Sequence, residues 1–297
     1  MSQRFDAFED AAAAGLRALP DWRGKASVAL WWKRRRERGG PLGGGWRLRL
    51  SDGSTLCLPR GSQMSWSVAA TGYWDRHVIA LVAGYIQPRS IALDIGASLG
   101  LWAVPLAAAA RSAGARLWCF EPNPDNLAWL QANIDVNGLA GIAEVHPHAL
   151  GARRATARLG CREHGGGNGA LIEIDARDAV DVAVMRVDDL EFPQRVSFVK
   201  MDVEGFELEV LRGARALLER DRPAIFGEFN AEWLRIRGED LAAELASIVE
   251  LGYDVFQVEE RRSARWRPRD QAQLRRLEPP FAAGCENLLL LPAHQTR

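Results

Sequence analysis

The sequence predicts an α/β fold, a parallel sheet covered by helices on both faces, and three observations carry that prediction. From Ser90 onward, short apolar runs alternate with helical patterns, which is how strand–helix–strand units read. Seven of those runs have strand length. The first ends in Asp94-Ile95-Gly96-Ala97-Ser98-Leu99-Gly100 and leads straight into a helical pattern, a turn that suits a ligand at a sheet edge.

In chain order, the first ninety residues read differently from the rest. Phe5 to Leu19 and Lys25 to Arg38 carry Ala, Leu and Trp at helical spacing, and the glycines from Gly39 to Gly45 end the second helix. Trp46–Leu50 and Thr55–Leu58 flank Asp52-Gly53, a hairpin signal because Gly accepts the positive φ of a tight turn. Tyr73 to Ile86 reads as a further helix, ended by Gln87-Pro88. Residues 1–88 are therefore expected to form an N-terminal α+β appendage, and residues 89–297 the main domain.

The seven strands expected there are Ile91–Asp94, Arg116–Phe120, Ala143–His146, Ser197–Met201, Ala224–Glu228, Asp254–Val258 and Asn287–Leu291. Helices are expected over Gly100–Ala110, Pro124–Asn137, Glu207–Glu219 and Asp240–Leu251. The interval Gly151–Val187 is Gly-rich and β-like, enough for an extra hairpin or two.

Composition narrows the partners. The 297 residues are 47% hydrophobic and 26% charged, ordinary globular values that exclude disorder for the bulk of the chain. Thirty-eight basic and 38 acidic residues cancel, which removes any global electrostatic case for nucleic acid or an anionic membrane. Cys57, Cys119, Cys161 and Cys285 form no paired framework, and the acidic start of the chain lacks the layout of a signal peptide. The longest apolar stretch, Leu101–Ala110, is broken by Pro105 and too short to span a bilayer. A cytoplasmic protein with no membrane span is expected; oligomeric state stays open.

At the glycine turn, a dinucleotide-binding pattern would place its first Gly where this chain has Asp94. A carboxylate there disfavours pyrophosphate and suits a cationic amino-acid group, as in S-adenosylmethionine. Glu121 follows roughly 20 residues on, at the end of the second strand, where an acid pairs with ribose hydroxyls. A nicotinamide-dependent oxidoreductase is the second reading, and a non-catalytic cofactor- or nucleic-acid-binding protein on the same fold the third.

A collinear set of motifs then resembles the FkbM-type S-adenosylmethionine-dependent methyltransferases: Asp94-Ile95-Gly96-Ala97…Gly100, Phe120-Glu121-Pro122-Asn123-Pro124…Asn126…Asn133-Ile134…Asn137, Ala149-Leu150-Gly151, Val187-Asp188-Asp189-Leu190 and Lys200-Met201-Asp202-Val203-Glu204-Gly205…Glu207. Ser98 stands where that family usually has a small amide residue. The resemblance implies a class I methyltransferase sheet, Rossmann-like, seven-stranded and mostly parallel, with the last strand antiparallel between the fifth and sixth. By matched position it implies that Asp94, Gly96 and Gly100 meet the amino-acid end of the cofactor and Glu121 the ribose. Asn123 and Ala149 fall near the adenine, and Ala97, Ser98 and Pro122 complete the same loops.

For methyl transfer to a hydroxyl, a base must take the proton as the new bond forms. Asp202 is the first candidate and Glu204 the second, both at the end of the fourth strand; Glu228, at the end of the fifth, is placed with His148 and Asn168 as acceptor-site candidates. His146, His148, Cys161 and His164 are spaced too loosely to predict zinc, and no metal is expected. In Trp31-Trp32-Lys33-Arg34-Arg35-Arg36 the tryptophans are expected to pack inward and the arginines to face water, so nucleic acid is not expected. The arginine-rich stretch 260–276 reads as a loop between the sixth and seventh strands that either covers the acceptor site, favouring an anionic acceptor, or is simply solvated. The function expected is O-methylation of a sugar, glycan or other natural product, a small-molecule acceptor.

Overall fold

The computed structural model describes residues 2–19, 24–37, 43–161, 169–171, 179–261, 271–281 and 287–293. It opens with helices α1 (Ser2–Ala18) and α2 (Lys25–Glu37), the hairpin β1 (Gly45–Arg49) and β2 (Thr55–Pro59), and helices α3 (Gln63–Thr71) and α4 (Arg76–Val82). Then follow β3 (Ile91–Ile95), α5 (Ala103–Ala113), β4 (Arg116–Phe120), α6 (Pro124–Val136), β5 (Ala143–His146), β6 (Ala149–Leu150), β7 (Ala155–Cys161), β8 (Gly169–Leu171) and β9 (Val180–Met185). The remainder is β10 (Val196–Met201), α7 (Glu207–Gly213), α8 (Arg215–Asp221), β11 (Ala224–Glu228), α9 (Ala231–Ile236), α10 (Leu241–Glu250), β12 (Tyr253–Arg261), β13 (Gln271–Leu277) and β14 (Asn287–Pro292).

The fold is α/β, and its central sheet is mixed. Its order is β5-β4-β3-β10-β11-β14-β12-β13, eight strands rather than the seven expected. The first five run parallel, and β14 lies antiparallel between β11 and β12. The extra strand comes from the arginine-rich stretch: Gln271–Leu277 pairs antiparallel with β12, where a loop was expected. Ala272 and Leu274 pack against the core, and Arg275 and Arg276 bond Glu259 and Asp254 on the neighbouring strand, contacts that support the pairing. A smaller sheet, β6-β9-β7-β8, accounts for the β-like interval after Gly151.

Strands buried on both faces read as continuous apolar runs, and β10 is buried at all six positions. One face of the sheet, through Ala92, Leu117, Phe198, Phe226 and Leu289, shares a core with α5, α6 and the N-terminal elements, including Trp46, Leu58, Trp66 and Val82. The other, through Leu93, Ile95, Val199, Met201 and Ile225, packs against α7, α8 and α10. Each fully buried Leu, Ile or Phe is stabilised by about 1.5–3 kcal/mol over its exposed state, so this two-sided burial is the main term holding the sheet.

Three local departures have physical causes. The helix expected over Glu207–Glu219 breaks at Gly213, which packs so closely that a Cβ there would lie 2.0 Å from the Gly151 carbonyl oxygen. The helix expected from Tyr73 begins at Arg76, because Asp75 takes a left-handed φ of 39°. In α2 Trp32 packs against the core and Arg34 and Arg35 face water as expected, but Trp31 is 59% exposed and the side chain buried in its stead is Lys33, bonded to Glu37. The buried face follows i, i+4, i+8 spacing through Lys25, Ala29 and Lys33. Among the described residues no helix is long and apolar enough to cross a membrane.

Candidate active site

Strands β3, β4 and β10 end at one edge of the sheet, and the loops after them are tied to one another. Gly96 and Ala97 donate backbone N–H bonds to the Phe120 carbonyl (2.9 and 3.0 Å), and the Ser98 N–H donates to Glu121 Oε2 (2.7 Å). The glycine turn therefore directs these three amides to Phe120 and Glu121 and not to a ligand. Gly96 has a φ of 78°, and a Cβ there would meet the Asp202 carbonyl oxygen at 2.0 Å, so only glycine lets the two loops approach this closely. Ser98 and Glu204, neither of them glycine, also hold positive φ (49° and 51°), the kind of backbone strain that collects at functional loops.

A narrow cleft opens at this edge. Of the expected cofactor residues, Gly96, Ser98, Glu121, Pro122 and Ala149 line it, together with Asp202, Glu204 and His148. Four others do not reach it. Asp94 is fully buried beneath the turn, Ala97 is packed in the core, Gly100 sits against Leu130, and Asn123 caps α6 by accepting the Asp125 N–H (3.0 Å). Asn168 lies outside the described residues, as do the side chain of Cys161 and all of His164.

Glu121 is 5% exposed. Burial pushes its carboxyl up, and bonds from the Asn123 N–H (2.8 Å), the Ser98 N–H and Asn126 Nδ2 (3.3 Å) pull it back. Oε1 accepts two of those bonds and Oε2 one, so about one lone-pair position, on Oε2, is left for a ligand hydroxyl. At the next loop, Glu207 Oε1 accepts the Val203 and Gly205 N–H groups (3.0 and 3.2 Å), and burial pushes its carboxyl up to about 7. Glu207 thus ties down the backbone at the start of α7, and Glu204 lines the cleft.

A second cavity, about 470 Å3, adjoins the first. Asp202 lines both. The other walls are Trp74, Asp75 and Val78 from the N-terminal region, Trp102, Lys200, Phe226 and Glu228 from the sheet and α5 side, and Val258 and Asn287. Trp102 stacks on Phe226 (ring centroids 5.1 Å apart, 18° between planes) and donates its indole N–H to Asp75 Oδ2 (3.3 Å). Lys200 is held by Asp94 Oδ1 at 3.1 Å and the Gly96 carbonyl at 3.0 Å, with Asp202 Oδ2 at 3.8 Å. Glu228 opens to solvent, yet partial burial and the carboxylates of Asp202, Glu204 and Asp75 push it up to about 7. Sequence reading missed Met64, Trp74, Asp75 and Lys200. The available signals were the aromatic–acid run Tyr73-Trp74-Asp75 and a lone lysine inside an apolar strand.

Residues 94–255 match the Methyltransferase FkbM domain, more than half of the chain. The chain belongs to the FkbM methyltransferase family. Among solved structures, the FkbM methyltransferase of Methylobacillus flagellatus KT is 18% identical with a TM-score of 0.41; the match covers 77% of this chain and 54% of that one, so this chain spans about half its length. An S-adenosylmethionine-dependent O-methyltransferase of Thermotoga maritima is 11% identical (TM-score 0.36, 72% and 62% covered). An rRNA methylase of Streptococcus thermophilus is 12% identical (TM-score 0.35, 72% and 93% covered). No match was found among curated proteins.

The cleft of this FkbM domain suits S-adenosylmethionine by its donors and walls. Ser98 Oγ and His148 Nδ1 are buried without a hydrogen-bond partner among the described residues, Glu121 keeps an acceptor position, and Ile95, Phe120, Leu150 and Leu159 supply apolar walls for a base. Among the described residues no group of three or more His, Cys, Asp or Glu side chains could hold a metal ion.

Proposed function

We propose that this FkbM domain moves a methyl group from S-adenosylmethionine, held in the cleft, to an acceptor hydroxyl held in the adjoining cavity. The observation that carries the proposal is Asp202, the one charged side chain among the described residues that lines both spaces. When bound, S-adenosylmethionine supplies a methyl on a sulfonium: the acceptor oxygen bonds to that carbon, the C–S electron pair returns to sulfur, and S-adenosylhomocysteine leaves.

The chain's own groups do the rest. Glu121 Oε2 accepts one ribose hydroxyl, and Ser98 Oγ and His148 Nδ1 take further polar contacts. Gly96, Pro122 and Ala149 shape the wall, and Glu204 faces the cationic amino-acid end. Asp202 accepts the acceptor's hydroxyl proton at a carboxylate oxygen, a role worth about 10²–10⁴ in rate. Asp94, Ala97, Gly100 and Asn123 act from behind, by shaping the two loops. We treat residues 1–88 as an addition to the domain of residues 89–297 that walls both spaces through Met64, Trp74 and Asp75.

The acceptor we propose is a sugar or another hydroxylated natural product. Nucleic acid is disfavoured, because carboxylates line the second cavity and repel phosphate. The anionic-acceptor reading loses Arg275 and Arg276, which are matched by Glu259 and Asp254; Arg262, Arg265, Arg267 and Arg269 lie outside the described residues. Calorimetry with S-adenosylhomocysteine, followed by labelled-methyl transfer with Asp202→Asn, tests the proposal. Binding in both proteins with kcat reduced about 10²-fold or more in the variant is expected. An Asp202→Asn enzyme as fast as wild type would remove Asp202 from the reaction.

A further inference from the structure

We infer that Glu228 and Asn287 are the acceptor-selecting pair of this site, and that they hold a second hydroxyl on the ring carbon next to the one that is methylated. The inference rests on the reading of the second cavity as the acceptor site. It adds which acceptors that site selects: rings carrying adjacent hydroxyls, over rings with an isolated one.

Strand register places the pair. Glu228, the last residue of β11, lies opposite Asn287, the first residue of β14. Opposed residues on antiparallel strands turn their side chains to the same face, with Cβ atoms about 4.5–5.5 Å apart, and both of these residues line the cavity. On the other side of β11, the Met201–Gly227 pair ends the ladder with β10, and Asp202 and Glu228 follow it one residue on. Asp202, Glu228 and Asn287 therefore stand in a row across three neighbouring strand ends, in strand-to-strand steps of about 4.8 Å.

The bonds already made in the cavity single these two out. Asp75 accepts the Trp102 indole N–H at 3.3 Å, and Asp202 faces the Lys200 ammonium at 3.8 Å. Among the described lining residues that carry a side-chain oxygen, Glu228 and Asn287 are the two with no hydrogen bond or ion pair inside the chain. Their groups complement hydroxyls, which both donate and accept: the Asn287 amide offers two N–H donors and an acceptor oxygen, and Glu228 two acceptor oxygens. Burial, then the carboxylates of Asp202, Glu204 and Asp75 against the Lys200 ammonium, push Glu228 up to about 7, so near neutral pH it also presents an O–H. An isolated hydroxyl held at Asp202 would leave both side chains to water. A hydroxyl on the next carbon gives them a partner while the first stays at the proposed base, and a ring held at two points is aligned better than one held at a single point. The volume of about 470 Å3 falls among ordinary small-molecule sites and holds a sugar-sized ring.

The test is labelled-methyl transfer by the full chain at pH 7.5 to cyclohexanol, 1,4-cyclohexanediol and the cis and trans isomers of 1,2-cyclohexanediol, with S-adenosylhomocysteine titrated in parallel. The 1,4-diol matches the 1,2-diols in hydroxyl count without setting the two side by side. For the better 1,2-isomer, kcat/KM is expected to exceed that of cyclohexanol and of the 1,4-diol by about tenfold or more. Glu228→Ala and Asn287→Ala are each expected to shrink that preference to less than about threefold, with S-adenosylhomocysteine affinity unchanged because neither residue lines the cofactor cleft. A 1,2-diol used no better than the 1,4-diol, an unchanged preference in either variant, or cofactor binding without transfer to any of these rings overturns the assignment and leaves the cofactor reading standing. Failure of the wild-type chain to bind S-adenosylhomocysteine strikes the methyl-transfer reading itself, and the assignment with it.

Discussion

Lys200 and Asp94 face each other across adjacent parallel strands, 3.1 Å apart, with 3% and 0% of their side chains exposed. Burial alone would push the lysine down; Asp94 and Asp202 outweigh it and hold the ammonium above its ordinary value. Burial pushes Asp94 up, and Lys200 offsets part of that. The pair joins the glycine turn to the strand that ends at Asp202, because the same ammonium donates to the Gly96 carbonyl.

Removing one partner should therefore cost more than the pair contributes. Lys200→Met strands a carboxylate with no counter-charge, and a loss of about 3–5 kcal/mol is expected from urea unfolding, as a lower midpoint at unchanged slope. A loss below about 1 kcal/mol would show that the pair is not buried as described.

Asn133 is the second brace. Its side-chain oxygen accepts the Cys57 N–H (2.6 Å), and its Nδ2 donates to the carbonyls of Cys57 (3.0 Å) and Leu99 (2.7 Å). One turn along α6, Asn137 bonds the Thr55 N–H and carbonyl in the same way (2.9 and 2.7 Å). Two side-chain amides thus take the place of a neighbouring strand along the edge of β2 and link it to the glycine turn. Asn133→Ala leaves three backbone groups without these partners, at about 1–3 kcal/mol for each that stays dry. Hydrogen exchange at the Cys57 amide should rise in step with the lost stability, and a protected Cys57 amide in the variant would contradict this role.

Much of this was legible in the sequence, because apolar runs such as that around Phe198 and the turn Asp94–Gly100 are local signals. What was missed depends on register. Asp94 was expected at the ligand, but β3 sets it opposite Lys200 on β10, and the pair satisfies itself beneath the turn. Trp74 and Asp75 wall the second cavity only because the N-terminal elements share a core with one face of the sheet, a long-range contact that no local pattern contains. Arg275 and Arg276 looked like loop charges until the pairing of β13 with β12 set carboxylates beside them.

The pH dependence of stability should carry the mark of Glu207. Its carboxyl rises from 4.5 to about 7 on folding, so the folded state holds that proton more tightly than the unfolded chain. The stabilisation from this proton is complete below pH 4.5 and is lost as pH rises through about 7. At ~1.36 kcal/mol for each pH unit, the whole change is about 3 kcal/mol. Glu207→Gln keeps an oxygen for the Val203 and Gly205 amides and has nothing to ionise. Unfolding free energies from pH 4 to 8 should fall less steeply in the variant than in wild type. Parallel curves would mean that Glu207 titrates normally.

Gly96→Ala should separate the approach of the two loops from the chemistry. The new methyl would start 2.0 Å from the Asp202 carbonyl oxygen, on a backbone with φ of 78°, and backbone cannot swing aside as a side-chain tip can. The left-handed conformation alone costs about 1–2 kcal/mol for an L-residue, and relief of the clash requires the β10 loop to move away. That motion would shift Asp202, which the Lys200 ammonium and its own N–H bond to Ile95 otherwise hold in place. Two losses are expected together: stability lower by more than the backbone term alone, and S-adenosylhomocysteine affinity down by about tenfold, since Gly96, Asp202 and Glu204 line the same cleft. Gly114→Ala supplies the comparison, with φ of 65° and open space around its Cβ position. It should cost only the backbone term and leave the affinity unchanged; equal losses at the two glycines would show that loop contact at Gly96 contributes nothing.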